Sequence, residues 1–354
     1  MEIVAATKKY SVQTYLNFSF VNELMKTSDA FFVIDEKVYN LYKEVLFCDL
    51  NQERLYTITA AEENKTVETA LSICEVMTTL PSKRNTVLIS VGGGIVQDIT
   101  GFVADVLYRG IKWYFVPTTL LAASDSCIGG KTSLNYKQFK NLLGTFFPPD
   151  KIYICPLFFQ TLSDRDFKSG LGEVVKFNVM YGIEGIEKIE RDIDKLVERD
   201  NETVVNYVKS SLSFKKRFIE EDEFDRGERI KLNFAHTIGH AIESVTTYAV
   251  PHGSAVAMGM IVANYISKRR GWLEETTFNR INALVNKIIS ADYCKFPMED
   301  ELIFKAIRKD KKQINNSIRA VLMKEDTSLH IVDDVKEQEI MEGFLFMRGF
   351  LSHE

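Results

Sequence analysis

The 354-residue sequence is poor in several residue types, and each scarcity excludes a class of protein. Its 7 prolines and 19 glycines are too few for a collagen-like or low-complexity chain. Its 5 cysteines are odd in number and show no C-x-x-C spacing, which favours a reduced, cytoplasmic setting. No apolar run approaches the roughly 20 residues of a membrane span, and we expect no signal peptide because the N-terminus lacks its pattern.

The charge balance is also modest, with 44 Lys+Arg against 49 Asp+Glu and a net charge of -5. Domains that bind nucleic acid are usually strongly basic, so we expect no nucleic-acid partner. The length suggests two domains of roughly 100–200 residues each. Histidine is scarce, yet three of the 5 histidines, His236, His240 and His252, lie close together in the chain.

Two patterns divide the chain near residue 155. Before it, short apolar runs alternate with helical periodicity, which predicts a parallel sheet covered by helices on both faces. After it, helical periodicity dominates, with one hairpin predicted over 318–323 and 329–332. We predict an α/β, Rossmann-like domain over 1–155, a mainly α-helical domain over 156–354, and an active site in the cleft between them. The predicted strands are Phe31–Ile34, Leu55–Ile58, Val87–Val91, Trp113–Val116 and Ile152–Ile154.

A glycine turn follows the third predicted strand. Gly92-Gly93-Gly94 leads into a helical pattern that contains Asp98, and such a turn can bind a phosphate through its backbone N–H groups. A tight turn without a ligand is an equally good interpretation, because the motif is not G-x-G-x-x-G. The next strand ends at Thr118-Thr119, whose hydroxyls suit a nucleotide or simply a turn.

A basic segment follows from Asp125 to Thr132. Its Gly-Gly-Lys-Thr end is similar to that of a P-loop, but the first glycine and the spacer of the Walker motif are missing, which disfavours a P-loop ATPase. We interpret the segment as a loop in which Lys131, with Lys140-Asn141 further along, suits an anionic ligand. A solvated loop is the alternative.

The histidine cluster is the most specific signal. His236 and His240 are four residues apart, hence on one helical face, but no glutamate follows His236 directly, which disfavours a metalloprotease. A catalytic zinc site needs three protein ligands and an open position. His252 and Glu173 are candidates for the remaining ligands. Glu173 and Lys176 lie in an apolar, glycine-rich stretch, where burial needs a partner, although a surface ion pair is the alternative.

Cationic residues recur through the helical half. Each alone is typical of a solvated surface, but together they make an anion-binding site plausible, for a phosphate or a carboxylate. They are Lys176, Lys215, Arg229, Lys311, Lys312 and Arg319.

Taken in order from Asp35 to Arg319, these segments resemble the 3-dehydroquinate synthase family of sugar-phosphate cyclases. The resemblance implies conversion of 3-deoxy-D-arabino-heptulosonate 7-phosphate to 3-dehydroquinate and phosphate in the shikimate pathway. It also implies NAD and Zn²⁺ (or Co²⁺) as cofactors, and a homodimer. The implied steps are transient oxidation, phosphate elimination, reduction, ring opening and aldol closure.

The resemblance also implies individual roles. The metal ligands would be Glu173, His236 and His252. The residues acting in catalysis would be His240, a proton-transfer residue that is not a ligand, with Lys176, Lys131 and Asp125. The substrate contacts would be Arg109 from a neighbouring subunit, Asn141, Lys215, Arg229, Asn233, and one of Lys311 and Lys312. The NAD contacts would be Asp35, Glu62, Lys65, Gly93, Gly94, Asp98, Thr118, Thr119, Lys131, Lys140, Thr161 and Leu162.

Five residues depart from the family pattern, one of them Asn316, which replaces a glycine before Arg319. Ala235 and Gln97 replace glycines, Ser254 replaces the glutamate after His-Gly, and Lys37 stands near a usual asparagine. Ser254 bears on the support of His252, and Lys37 on a cofactor contact. The competing hypotheses are a cyclase for a heptulose phosphate without a carboxylate, a polyol dehydrogenase of the glycerol dehydrogenase type, and a non-catalytic NAD- or metal-binding regulator.

Overall fold

The computed structural model describes residues 1–137, 139–309 and 318–352, and the chain divides into two compact units. The first comprises Met1–Leu162 and Lys216–Phe224, and the second comprises Ser163–Lys215 and Asp225–Glu354. The division therefore lies at 162/163 rather than at the expected 155/156. No described helix is long and apolar enough to cross a membrane.

The first unit includes two segments beyond the expected range 1–155, namely residues 156–162 and Lys216–Phe224, and specific contacts hold both in place. Phe158 packs against Phe18 and Tyr42, with ring centroids 4.9 and 5.2 Å away. The carboxylates of Glu220 and Glu223 accept hydrogen bonds from the backbone N–H groups near the N-terminus, at distances of 2.8 and 2.7 Å. These contacts are tertiary, which is why the change of sequence pattern near 155 misses them.

The first unit is built on a seven-stranded sheet in the order β1-β2-β9-β6-β5-β3-β4. All neighbouring strands are parallel except β1 and β2, and the five predicted strands are confirmed. The strands of this unit are β1 Glu2–Val4, β2 Lys9–Thr14, β3 Ala30–Asp35, β4 Leu55–Ile58, β5 Val87–Gly92, β6 Trp113–Pro117, β7 Lys131–Tyr136, β8 Phe139–Phe146 and β9 Lys151–Ile154. Its helices are α1 Ser19–Met25, α2 Glu36–Leu46, α3 Val67–Thr79 and α4 Gly94–Val106.

The segment that we interpreted as a basic loop instead begins in a helical turn over Ala122–Ser126 and ends, from Lys131 onwards, in an antiparallel hairpin of β7 and β8. Lys131 is the first residue of β7, and Lys140 and Asn141 lie on β8. The prediction was wrong because β8 is almost entirely exposed, so its sequence lacks the alternation of apolar and polar residues that marks a half-buried strand.

The second unit is mainly helical, and its predicted hairpin is confirmed by the antiparallel pairing of the two strands after residue 317. The helices are α5 Asp164–Met180, α6 Ile183–Val197, α7 Asn201–Glu221, which ends in the first unit, α8 His236–Val245, α9 His252–Arg269, α10 Glu275–Ile288, α11 Asp300–Lys309 and α12 Glu337–Ser352. The strands are β10 Ile318–Met323 and β11 Leu329–Val335.

The helices α5 and α9 form the centre of this unit, and both are buried on nearly all sides. Their backbones touch where glycines face each other. A Cβ on Gly172 would lie 2.0 Å from the carbonyl oxygen of Gly253, and a Cβ on Gly253 would lie 1.8 Å from that of Ser169. Gly259 meets α8 in the same way, with 2.5 Å to the carbonyl oxygen of Ala235. Three helices thus approach more closely than larger residues allow.

We expect Gly172→Ala to lower the free energy of unfolding by about 1–3 kcal/mol, because the added methyl forces α5 and α9 apart. Urea denaturation measures the change. Gly349→Ala in α12 is the control, since a Cβ there meets no atom within 4 Å and alanine favours a helix by about 1 kcal/mol. Equal stability of the two variants would contradict the role of the close approach.

Candidate active site

Three predicted ligands from three helices meet in the second unit. Glu173 lies on α5, while His236 and His252 are the first residues of α8 and α9. The Nε2 atoms of both histidines lie 3.5 Å from Oε1 of Glu173. One donor atom from each residue lies within 4.8 Å of the other two. An oxygen and two imidazole nitrogens in this arrangement suit a three-ligand catalytic metal site.

The burial and the contacts of Glu173 indicate whether a metal ion fits this site. Its side chain is 0% exposed, and Oε2 lies 2.5 Å from Nζ of Lys176. Oε1 has no hydrogen-bond partner among the described residues. A buried carboxylate oxygen without a partner is costly, and a divalent cation held between Oε1 and the two imidazoles removes that cost. The residues therefore fit a metal such as Zn²⁺ or Co²⁺.

Each of the two histidines is oriented by a hydrogen bond at Nδ1, the ring nitrogen that does not face Glu173. Nδ1 of His236 donates to the carbonyl oxygen of Phe234 at 3.0 Å. Nδ1 of His252 lies 3.0 Å from Oε2 of Glu243 and donates to it. With the proton on Nδ1, each ring presents the lone pair of Nε2 towards Glu173.

The site is strongly negative around His252. Burial acts to lower the pKa of His252, but the charges and hydrogen bonds of Glu243 and Glu173 outweigh it and raise the pKa to about 10. The field that favours a proton there also favours a divalent cation.

His240 lies one helical turn after His236 on α8, beside the three ligands. Its ring centroid is 5.4 Å from that of His236 and 5.9 Å from that of His252. His240, Glu243 and His252 also bring donor atoms within 4.8 Å of one another. In the latter set Nδ1 of His252 is already bonded to Glu243, so the set with Glu173 is the better metal site and leaves His240 beside it.

The second unit contains three buried cations, of which Lys176 contacts the cluster through Glu173. Lys176 is almost fully buried and donates from Nζ to the carbonyl oxygen of Leu232 at 3.1 Å. Lys215 and Arg229 are also buried, with Arg229 only 3% exposed. The solvated-surface alternative is therefore wrong for these three residues, because a buried charge must serve a partner or a ligand.

The remaining candidates for binding an anion or the substrate in the second unit have other surroundings. Arg319 on β10 pairs with Asp333 at 2.8 Å. Asn233 ends a short helical turn ahead of α8, and its Nδ2 donates to the carbonyl oxygen of Ile230 at 2.9 Å. Lys311 and Lys312 lie outside the described residues.

The first unit brings several of the predicted NAD contacts to one edge of its sheet. β3, β5 and β6 are adjacent and parallel, so the segments after them meet at their carboxyl ends, where α/β sheets bind ligands. Gly94 begins α4, and a Cβ on Gly93 would lie 3.0 Å from Cγ2 of Thr119. Thr118 follows β6 directly, and Asp35 ends β3.

Asp35 also has a structural role at this edge, because its side chain caps α2 by accepting a hydrogen bond from the backbone N–H of Lys37 at 2.9 Å. Thr161 lies in the segment that follows β9, where its Oγ1 donates to the carbonyl oxygen of Phe158 and contacts the hydroxyl of Tyr42. Leu162 is the last residue of the unit's first segment.

A polar network joins another group of predicted residues. Nζ of Lys65 donates to Oδ1 of Asn141 at 2.7 Å and pairs with Oδ2 of Asp98 at 2.5 Å. Nζ of Lys140 lies 3.3 Å from Oε1 of Glu62. Burial raises the pKa of Asp98 although Lys65 opposes the shift. The hairpin thus carries its polar residues to the segment before α3.

Asn135 connects this network, and the sequence analysis missed it. Its Nδ2 donates to Oε1 of Glu62 at 2.8 Å, and its Oδ1 accepts from the backbone N–H of Asn141 at 2.9 Å. Asn141 has a left-handed φ of 52° that this contact stabilises. Because the sequence analysis did not predict the β7–β8 hairpin, nothing in the sequence singled out Asn135.

Two further predicted residues, Arg109 and Asp125, lie in the first unit, as does Gln97, a departure from the family pattern. Arg109 is exposed and has a positive φ of 64°. Asp125 lies in a helical turn over Ala122–Ser126. The departure Gln97 pairs with Ser126 there, each side chain donating one hydrogen bond of 2.7 Å towards the other residue.

Ala235, another departure, precedes α8 with a left-handed φ of 67°. We expect Ala235→Gly to leave the free energy of unfolding unchanged or raise it by up to about 1 kcal/mol, because relief of about 1–2 kcal/mol of strain offsets the lost methyl and the flexibility gained on unfolding. Urea denaturation tests this. The control Ala241→Gly, inside α8, should instead lose at least about 1 kcal/mol, and matching losses would refute the strain.

Family profiles of known proteins match most of the chain, including the three candidate metal ligands. The family profile of the 3-dehydroquinate synthase N-terminal domain matches residues 55–169, and that of the C-terminal domain matches residues 170–313. A 3-dehydroquinate synthase of Clostridium tetani is 37% identical over 325 residues, which cover 91% of this chain and 86% of the relative.

Solved structures share the fold. A 2-deoxy-scyllo-inosose synthase with carbaglucose-6-phosphate, NAD⁺ and Co²⁺ bound has a TM-score of 0.86 at 24% identity and covers 99% of both chains. A 2-epi-5-epi-valiolone synthase from Streptomyces hygroscopicus with NAD⁺ and Zn²⁺ bound has a TM-score of 0.82 at 23% identity, covering 96% of this chain and 97% of that one. The predicted fold class is confirmed.

Proposed function

The chain belongs to the 3-dehydroquinate synthase family, and from this membership we propose that it converts 3-deoxy-D-arabino-heptulosonate 7-phosphate to 3-dehydroquinate and phosphate. The observation that carries the proposal is the cluster of Glu173, His236 and His252 beside buried cations. The enzyme would be a phosphorus-oxygen lyase of the shikimate pathway that acts in the cytoplasm as a homodimer.

Both cofactors follow from the same proposal, NAD and Zn²⁺ or Co²⁺. When bound, the metal supplies Lewis-acid polarisation of substrate oxygens and NAD supplies reversible hydride transfer, so the protein's share is positioning and electrostatics. Glu173 and the Nε2 atoms of His236 and His252 hold the metal. The cofactor contacts that we propose are Asp35, Glu62, Lys65, Gly93, Gly94, Asp98, Thr118, Thr119, Lys131, Lys140, Thr161 and Leu162.

Buried cations bind the anionic groups of the substrate. In a site of low dielectric constant, a lysine or arginine holds a carboxylate or phosphate far more strongly than in water. Lys176, Lys215 and Arg229 supply these charges in the second unit, with Asn233 as a neutral donor. We assign Lys131, Asp125 and Asn141 of the first unit to the same substrate, and Arg109 to the substrate of the other subunit.

His240 moves protons. It lies next to the ligands His236 and His252 yet outside their set, which places a third imidazole beside the metal site. An imidazole can both donate and accept a proton, as the elimination and the ring opening require.

The reaction is tested by mixing the protein, Zn²⁺ and catalytic NAD with the keto-acid phosphate. We expect one phosphate per carbocycle formed and no net NADH, because the hydride returns to the product. A heptulose phosphate without a carboxylate is the control. We expect little phosphate from it because the buried cations Lys176, Lys215 and Arg229 then lose the carboxylate as a partner and keep only the phosphate. Phosphate from that sugar alone, or NADH accumulation with glycerol, would support the competing hypotheses instead.

Two histidines one turn apart on α8 separate metal binding from proton transfer. We expect His236→Ala to lose the metal, because it removes one of three ligands. His240→Ala should retain the metal and lose about 10²- to 10⁴-fold in turnover, as expected for a general acid or base. Metal content after gel filtration and the rate of phosphate release measure the two effects. Equal metal loss in both variants would make His240 a ligand.

A further inference from the structure

We propose that Glu243 is a positioning residue that fixes the orientation and tautomer of His252 and thereby sets the affinity of the metal centre. The inference rests on the proposed metal site of Glu173, His236 and His252, and it adds a residue outside that site. Glu243 lies on α8, two turns after His236, on the helical face that also carries His240.

The geometry places one carboxylate at each nitrogen of His252. Oε2 of Glu243 lies 3.0 Å from Nδ1, and Oε1 of Glu173 lies 3.5 Å from Nε2. Since a carboxylate only accepts, the bond to Glu243 requires the proton on Nδ1 and leaves the lone pair on Nε2. A metal ligand held this way is both correctly protonated and correctly aimed.

The two histidines of the centre are supported differently. His236 donates to the backbone carbonyl of Phe234, a group that no side-chain substitution removes. His252 depends on a side chain from another helix, because its Nδ1 bonds to Glu243 on α8. Of these two hydrogen bonds, the one from His252 to Glu243 is therefore the one that a side-chain substitution can remove.

Ser254 strengthens this assignment. This residue stands where the family usually has a glutamate two positions after the ligand, so the sequence leaves the support of His252 open. Ser254 is 0% exposed, and its Oγ has no hydrogen-bond partner within the described part of the chain. The carboxylate that contacts His252 comes from α8 instead.

A direct ligand role for Glu243 is the alternative, because His240, Glu243 and His252 could form a metal site of their own. That site would use Nδ1 of His252 and leave Oε1 of the fully buried Glu173 without a partner. A metal bound by the set with Glu173 gives Oε1 of Glu173 a partner. It also leaves the hydrogen bond between Nδ1 of His252 and Glu243 intact.

The test uses the full-length protein without NAD or substrate, with Co²⁺ as the probe. Chelator competition gives the dissociation constant, and visible absorption reports the ligand set. We expect Glu243→Leu to weaken Co²⁺ binding by about 10- to 100-fold. Glu243→Gln should lose less, because its amide oxygen still accepts from Nδ1, and its spectrum should match the parent's. Glu275→Gln, an exposed glutamate paired with Lys268, is the control and should change neither quantity.

Two results would overturn the proposal: parental affinity in Glu243→Leu, or a Co²⁺ spectrum in Glu243→Gln that changes as it does in Glu173→Gln. Should Glu243→Leu fail to fold, Glu243→Asp replaces it, because the shorter side chain withdraws the carboxylate from Nδ1. Phosphate release by the parent protein is measured separately. A parent that binds Co²⁺ but releases no phosphate would contradict the proposed reaction and leave the role of Glu243 standing.

Discussion

The burial of one carboxylate, Glu173, is the constraint on which the second unit depends. A charge with no exposed surface is tolerable only when groups of opposite charge or metal ions meet it. Lys176 reaches it from one helical turn away, and His236 and His252 approach from α8 and α9. The glutamate and histidine side chains can meet only if α5, α8 and α9 pack closely, and glycines at the helix contacts permit this. The packing and the chemistry of this unit therefore have the same cause.

Among the described residues, a few cations are buried although most charged side chains are not. The net charge of -5 is typical of a soluble acidic protein, yet Lys65, Lys176, Lys215 and Arg229 are all buried. A buried cation is held by neighbours that keep it charged, such as Asp98 beside Lys65, and it attracts an anion more strongly than a solvated one. A whole-chain charge balance therefore does not exclude an anionic substrate.

The sequence predicts those features that depend on near neighbours in the chain. The central strands form continuous apolar runs because both faces of the sheet are covered, and the spacing of His236 and His240 places them on one helical face. The β7–β8 hairpin was missed because β8 buries almost nothing. Asn135 and Glu243 were missed because each acts through residues on other elements, and nothing in their local sequence records the contact.

The departures from the family pattern show which roles a backbone can fill and which need a side chain. Gln97 takes the place of a glycine and is satisfied locally by Ser126, so the turn that carries Asp125 keeps its hydrogen bonds. Ala235 adopts the left-handed φ that a glycine would adopt, and its carbonyl still starts the hydrogen bonds of α8. The orientation of His252 is different, because no backbone group replaces the carboxylate at Nδ1. The ring of His236 is therefore held by a backbone carbonyl, which leaves its side-chain neighbours free to vary, whereas the ring of His252 is held by the side chain of Glu243.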